Sequence, residues 1–139
     1  MSNKAVSLAF FTTYAGQRDV EGCSPLFAGD AVISTSVAPS PMDFAAYKQV
    51  GYAFLGGFAD LKAEVHEQIE AGNKVVSRVV WSGTHTGALN GIPATGRTFS
   101  SEAIFIDTFE NGQIVERREV SDMLGMLQQL GVIPASQAA

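Results

Sequence analysis

Cysteine is nearly missing from this sequence: Cys23 stands alone among 139 residues. No internal disulfide can form, which points to a cytoplasmic location. With no base beside it, an unpaired cysteine reads as a small buried hydrophobe rather than a nucleophile. Charge is sparse too, at 17% of residues, and 9 basic against 14 acidic side chains leave a net charge of −5. With no Lys/Arg run to gather phosphates, nucleic acid is not expected as a partner. The longest apolar stretches, 5–11 and 52–58, fall far short of the ~20 residues that span a bilayer, so no membrane partner is expected either. The opening Met-Ser-Asn-Lys has neither the apolar core nor the small-residue cleavage site of a secretion signal. His66 and His85 lie far apart with no cysteine cluster, so no metal site is expected.

What is present is an apolar chain with the punctuation of a small domain. Hydrophobic residues make up 46%, enough for a core with apolar surface left over for a pocket or a subunit interface. The length suits one domain, expected over residues 1–134 with a loose tail at 135–139. Val6, Phe10, Phe11 and Tyr14 recur at helical spacing, and Gly16 is a natural stop. Asp19 reads as the cap of a short second helix, and Gly29-Asp30 as a turn into a strand at 31–35. Asp43 caps a third helix that Gly56-Gly57 ends.

The period then changes to two. Leu61, Ala63, Val65 and Ile69 alternate with polar residues, the pattern of a strand with one wet face. Strands follow at 74–82 and 98–109, separated by a glycine-rich connection, and Asn111-Gly112 signals a hairpin into 113–121. A short helix at 123–130 stops at Gly131. Helices first and a run of strands afterwards mean α+β.

Four spaced motifs carry a resemblance. They are Trp81-Ser-Gly-Thr-His-Thr-Gly87, Gly91-Ile-Pro-Ala-Thr-Gly-Arg97, Phe109-Glu-Asn-Gly-Gln-Ile-Val-Glu116 and Asp122-Met-Leu-Gly-Met-Leu-Gln-Gln-Leu-Gly131. In this order they resemble the SnoaL-like polyketide cyclases. The resemblance implies a cone-shaped α+β barrel of the nuclear transport factor type, with a mixed or antiparallel curved sheet over a deep cavity and usually a homodimer. It also implies acid-base chemistry on a small polyketide-like, carbonyl-bearing ligand without metal or organic cofactor. The position matching the family's catalytic aspartate is Asp122. Where Arg118 and Ser121 stand, family members commonly carry tryptophan.

A two-residue turn at Asn111-Gly112 sets a simple hairpin register in which Asp107 faces Glu116, Phe105 faces Arg118, Ala103 faces Val120 and Ser101 faces Asp122. That face mixes apolar and charged residues and is assigned to the cavity. Ile104, Ile106, Arg117 and Glu119 fall on the other. A carboxylate at Asp122 would lose hydration there and gain proton affinity, as an aldol ring closure requires; an N-cap for the last helix is its structural alternative. Arg118 either holds a substrate anion or neutralises the like-charged Asp107 and Glu116. Arg78 carries the same two readings. His85 is either a proton relay at the cavity mouth or a turn histidine bound to backbone. Tyr14, Trp81, Phe105 and Val120 are candidate substrate contacts, and Tyr14 and Trp81 read equally as core. Three functions follow: a cyclase or isomerase using Asp122; a hydrolase or hydratase of epoxide hydrolase type, with Asp107, Arg118 and Asp122 activating water; and a small-ligand-binding protein without turnover.

Overall fold

The computed structural model describes residues 1–134; the tail expected at 135–139 lies outside the described residues. Helix α1 (Asn3–Phe11) begins at Ser2, whose hydroxyl accepts the Ala5 N–H at 3.1 Å, and runs on into a π-helical turn at Thr12–Gly16. A 3-10 turn at Glu21–Leu26 leads into β1 (Phe27–Thr35), so Gly29 and Asp30 sit inside the strand rather than ahead of it. Helix α2 (Phe44–Gly57) is capped by Asp43, which accepts the Ala46 N–H at 2.9 Å. Then come β2 (Lys62–Ala71), β3 (Lys74–Thr84), β4 (Thr98–Glu110), β5 (Gln113–Ser121) and α3 (Met123–Gln129).

The five strands form one sheet in the order β1-β5-β4-β3-β2. β1 runs parallel to β5 and the remaining neighbours are antiparallel. The architecture is α+β, as the sequence pattern implies; the sheet is mixed, and β1 and β2 are its two edges, so it does not close into the complete barrel that the resemblance implies.

Asn111 and Gly112 both take positive φ (52° and 77°), the requirement of a type I′ hairpin turn. The pairing then departs from a simple register. Glu110 faces Gln113 and Phe109 faces Ile114, but Thr108 faces Glu116, so Val115 is an extra residue on β5. A bulge of this kind turns every later side chain to the opposite face. Arg117 now faces Asp107 and Glu119 faces Phe105, while Arg118 faces Ile106 and Val120 faces Ile104. A second bulge at His66, between Val65 and Glu67, has the same effect on β2 and leaves Ile69 exposed.

One sheet face packs under the helices and carries the core: Val75 and Val79 of β3, Ala103, Phe105 and Phe109 of β4, and Ile114 of β5 are all buried. The other presents Val32, Ile104, Ile106 and Val120 to solvent. Gly87 belongs to the tight passage where the chain leaves β3. The Thr86 and Gly87 N–H groups donate to the Gly57 carbonyl at 3.0 and 3.1 Å. A Cβ at Gly87 would overlap the Gly56 carbonyl oxygen, so the last glycine of the Gly-Thr-His-Thr-Gly run is needed for this close approach.

Candidate active site

A cavity of about 430 Å³ opens between the helices and the inner sheet face, within the ~300–1,000 Å³ range of small-molecule sites. Its walls are aromatic, with Phe10, Tyr14, Phe44, Phe54, Trp81 and Phe105 among them. The polar residues lining it include Tyr14, Tyr47, Ser101, Glu119 and Asp122. Flat apolar walls with a few fixed polar groups suit an aromatic or conjugated ligand of modest size.

Behind the wall lies a fully buried ion pair. Arg117 donates from Nε to Asp107 Oδ1 at 2.7 Å and from Nη2 to Asp107 Oδ2 at 2.9 Å, a two-pronged contact. Ser7 Oγ also donates to Asp107 Oδ2, at 2.8 Å. The guanidinium lies 3.9 Å from the Phe10 ring centroid and within about 5 Å of Phe27 and Phe105, so aromatic faces replace the water it has lost. Burial alone would pull its pKa down; Asp107 and Tyr47 outweigh burial, and the net direction is upward.

Arg117 Nη1 donates to Tyr47 Oη at 3.4 Å, and Tyr47 Oη donates to Glu119 Oε1 at 2.7 Å. Burial raises the pKa of Glu119, only partly offset by the Tyr47 hydrogen bond and the Arg117 charge. Burial and then the Glu119 charge push the Tyr47 phenol well above its ordinary value. Tyr14 is raised chiefly by burial as well, and its hydroxyl donates to the Gly51 carbonyl at 2.7 Å. Burial pushes the Cys23 thiol up to about 11, which keeps this cavity-lining sulfur a thiol at neutral pH.

Asp122 stands at the junction of β5 and α3. Its Oδ1 accepts the Gly125 N–H at 2.9 Å as the cap of α3, and its exposed side chain borders the cavity. A Cβ at Gly125 would collide with the Asp122 carboxylate, so the glycine three residues on makes room for the acid.

Of the residues singled out in the sequence, Tyr14, Trp81, Phe105 and Asp122 meet in this cavity. Asp107 does not line it and is instead enclosed by Arg117 and Ser7. Arg118 and Val120, expected on the cavity face, lie on the outer face because of the Val115 bulge, Arg118 beside Glu116 at 3.6 Å and Val120 exposed. The set Asp107, Arg118 and Asp122 is therefore not assembled. Arg78 is also on the outer face, bridging Glu67 at 3.1 Å and Glu102 at 2.9 Å. His85 is buried and outside the cavity lining. Its Nδ1 accepts the Thr95 N–H at 3.2 Å and its ring packs against Phe58, which ties the 85–97 connection together. Arg117 and Glu119 are the functional candidates that the simple register hides, and Tyr47 of α2 joins them through its hydroxyl. The one sequence signal for them is the unfavourable Asp107–Glu116 pairing in that register, which the bulge removes.

Comparison with known proteins agrees with this geometry. Residues 5–130 match the family described as SnoaL-like polyketide cyclase. The nogalonic acid methyl ester cyclase of Streptomyces nogalater is 30% identical over 107 residues, 77% of this chain and 78% of that protein. The aklanonic acid methyl ester cyclase DnrD of Streptomyces peucetius is 42% identical over 65 residues, but the match spans only 45% of its length and 47% of this chain. Among solved structures, wild-type IdmH of Streptomyces antibioticus superposes with a TM-score of 0.83 at 28% identity, covering 94% of this chain and 99% of that one. AclR of Streptomyces galilaeus shares the fold with a TM-score of 0.87 at 24% identity, covering 97% of this chain and 84% of that one. With the family match over residues 5–130 and a relative 30% identical that is covered over more than three quarters of both chains, the chain belongs to the SnoaL-like polyketide cyclase family.

Proposed function

We propose that this protein is a cofactor-independent cyclase that closes a ring by an intramolecular aldol reaction on a polyketide-like methyl ester, with Asp122 as the base. The observation that carries this reading is a carboxylate, held by the first turn of α3 and given room by Gly125, bordering an aromatic-walled cavity. Asp122 removes the proton on the carbon between two carbonyls of the substrate. The C–H electron pair becomes an enolate, the enolate carbon attacks a second carbonyl within the same molecule, and that carbonyl's oxygen takes up a proton to become a hydroxyl. Atoms are conserved, so substrate and product are isomers. A positioned acid or base of this kind contributes roughly 10²–10⁴-fold, and the aromatic walls add by holding the reacting carbons close together.

The names of the relatives suggest the probes. Incubation with aklanonic acid methyl ester or nogalonic acid methyl ester should give a product of unchanged mass and altered retention by liquid chromatography and mass spectrometry. No isomer from either ester, with both bound, would favour a ligand-binding protein instead.

The cyclase is further proposed to act as a homodimer in the cytoplasm. In support of the dimer, the outer sheet face exposes Val32, Ile104, Ile106 and Val120 among charges of both signs, Arg78 and Arg118 with Glu67, Glu102 and Glu116. Such a patch can pair with its own copy about a two-fold axis. Light scattering should give twice the chain mass, and Ile106→Glu should halve it; an unchanged mass would remove this face from the interface. The location is supported by the unpaired, buried Cys23. No helix among the described residues is long and apolar enough to cross a membrane.

A further inference from the structure

We propose that Glu119 is a second catalytic acid of the cavity, donating through Oε2 the proton that the new hydroxyl requires while Tyr47 holds Oε1. This deepens the cyclase reading and rests on it. Glu119 stands on the inner face of β5, across from Phe105 of β4 and beside Thr35 of β1, and lines the same cavity as Asp122. Its Oε1 accepts from Tyr47 Oη at 2.7 Å. Its Oε2 has no hydrogen-bond partner among the described residues and is not sealed in protein, and the cavity is the open space that Glu119 lines.

The surroundings suit a proton donor. The titratable and charged groups around Glu119 are Tyr47 and Lys48 of α2, Tyr14 of the π-turn, Cys23, Asp107 of β4, Arg117 of its own strand, and Asp122. The nearest cation, Arg117, is already matched by both oxygens of Asp107, and Lys48 is drawn out to Glu21 at 3.2 Å. Glu119 therefore has no cation of its own to hold it as a carboxylate, and burial raises its proton affinity. Two carboxyl groups in one cavity, one exposed and one raised by burial, divide into base and acid.

In the step itself, the enolate carbon forms the new C–C bond and the π electrons of the attacked C=O move to its oxygen. The Glu119 O–H bond breaks as its proton passes to that oxygen, leaving a Glu119 carboxylate and a protonated Asp122. Water returns one proton from Asp122 and supplies one to Glu119, so the enzyme is regenerated with no other reactant.

The test is the pH dependence of ring closure of aklanonic acid methyl ester or nogalonic acid methyl ester, whichever the unaltered protein turns over, in that protein and in Glu119→Gln, Glu119→Asp and Tyr47→Phe. Glutamine still accepts from Tyr47, so folding is retained, which circular dichroism checks. Glu119→Gln should lower kcat by about 100-fold with KM within about threefold, and lose the alkaline limb of the profile. Glu119→Asp should keep that limb at reduced rate. Tyr47→Phe removes a bond that lowers the Glu119 pKa, so it should move the limb to higher pH. Turnover retained in Glu119→Gln with its alkaline limb intact overturns this assignment alone. No turnover of either ester by the unaltered protein overturns the cyclase reading and this assignment with it.

Discussion

Replacing Arg117 by Met leaves Asp107 buried, with Ser7 as its remaining hydrogen-bond donor among the described side chains. Both members of the pair are fully buried. Breaking such a pair on one side costs about 3–5 kcal/mol, because the surviving charge keeps its desolvation penalty without its partner. Against the ~5–15 kcal/mol total stability of a typical domain, that is a large share. At roughly 4 °C per kcal/mol for a chain between the small and medium size classes, the melting temperature should fall by about 12–20 °C. Met fills much of the arginine stem's volume and keeps contact with Phe10, so the loss comes from charge rather than from a cavity. Urea unfolding followed by far-ultraviolet circular dichroism gives the free energy directly. The double variant Arg117→Met with Asp107→Leu removes both charges and should recover most of the loss. A cost below about 1 kcal/mol for Arg117→Met, the range of an exposed pair, would mean that water reaches Asp107 and that the buried pair does not anchor β5 to β4.

Two further substitutions probe the site and its scaffold. The raised pKa of Glu119 means that the folded state binds its proton more tightly than the unfolded state; its contribution is therefore full below the unfolded value of about 4.3 and is lost as pH rises through the folded value. Glu119→Gln should accordingly match the unaltered protein near pH 4 and exceed it in urea midpoint near pH 8, and a variant less stable at the higher pH would reverse the sign of the burial effect. Gly87→Ala forces a backbone shift against Gly56 and should cost about 1–3 kcal/mol in urea unfolding; an unchanged midpoint would show that the β3 exit is loose.

The sequence makes the element order and type legible, because helix period, strand alternation and turn residues are local signals. Asp43 and Asp122 cap α2 and α3 where the pattern puts caps, and Asn111-Gly112 turns the hairpin. The site is half legible. Tyr14, Trp81, Phe105 and Asp122 reach the cavity, whereas Arg78, His85, Asp107, Arg118 and Val120 do not line it. One inserted residue at Val115 accounts for Arg118 and Val120 and for the concealment of Arg117 and Glu119. The run Glu116-Arg117-Arg118-Glu119 has charges on both faces in either register, so alternation cannot say which arginine points inward. Ile69 fails in the same way through the His66 bulge. A bulge is fixed by cross-strand energetics rather than by local propensity, and here the decisive term is Asp107, which gains Arg117 opposite it in place of Glu116.

The most direct test of the account compares the unaltered protein with Asp122→Asn for turnover and binding of whichever ester is accepted. The sole tryptophan, Trp81, lines the cavity, so quenching of its fluorescence reports binding without turnover. Asparagine can still accept the Gly125 N–H, so the α3 cap persists and the fold is kept. The account predicts quenching with a dissociation constant within about threefold of the unaltered protein and a rate lower by about 100-fold or more. Ring closure at an undiminished rate in Asp122→Asn would contradict it.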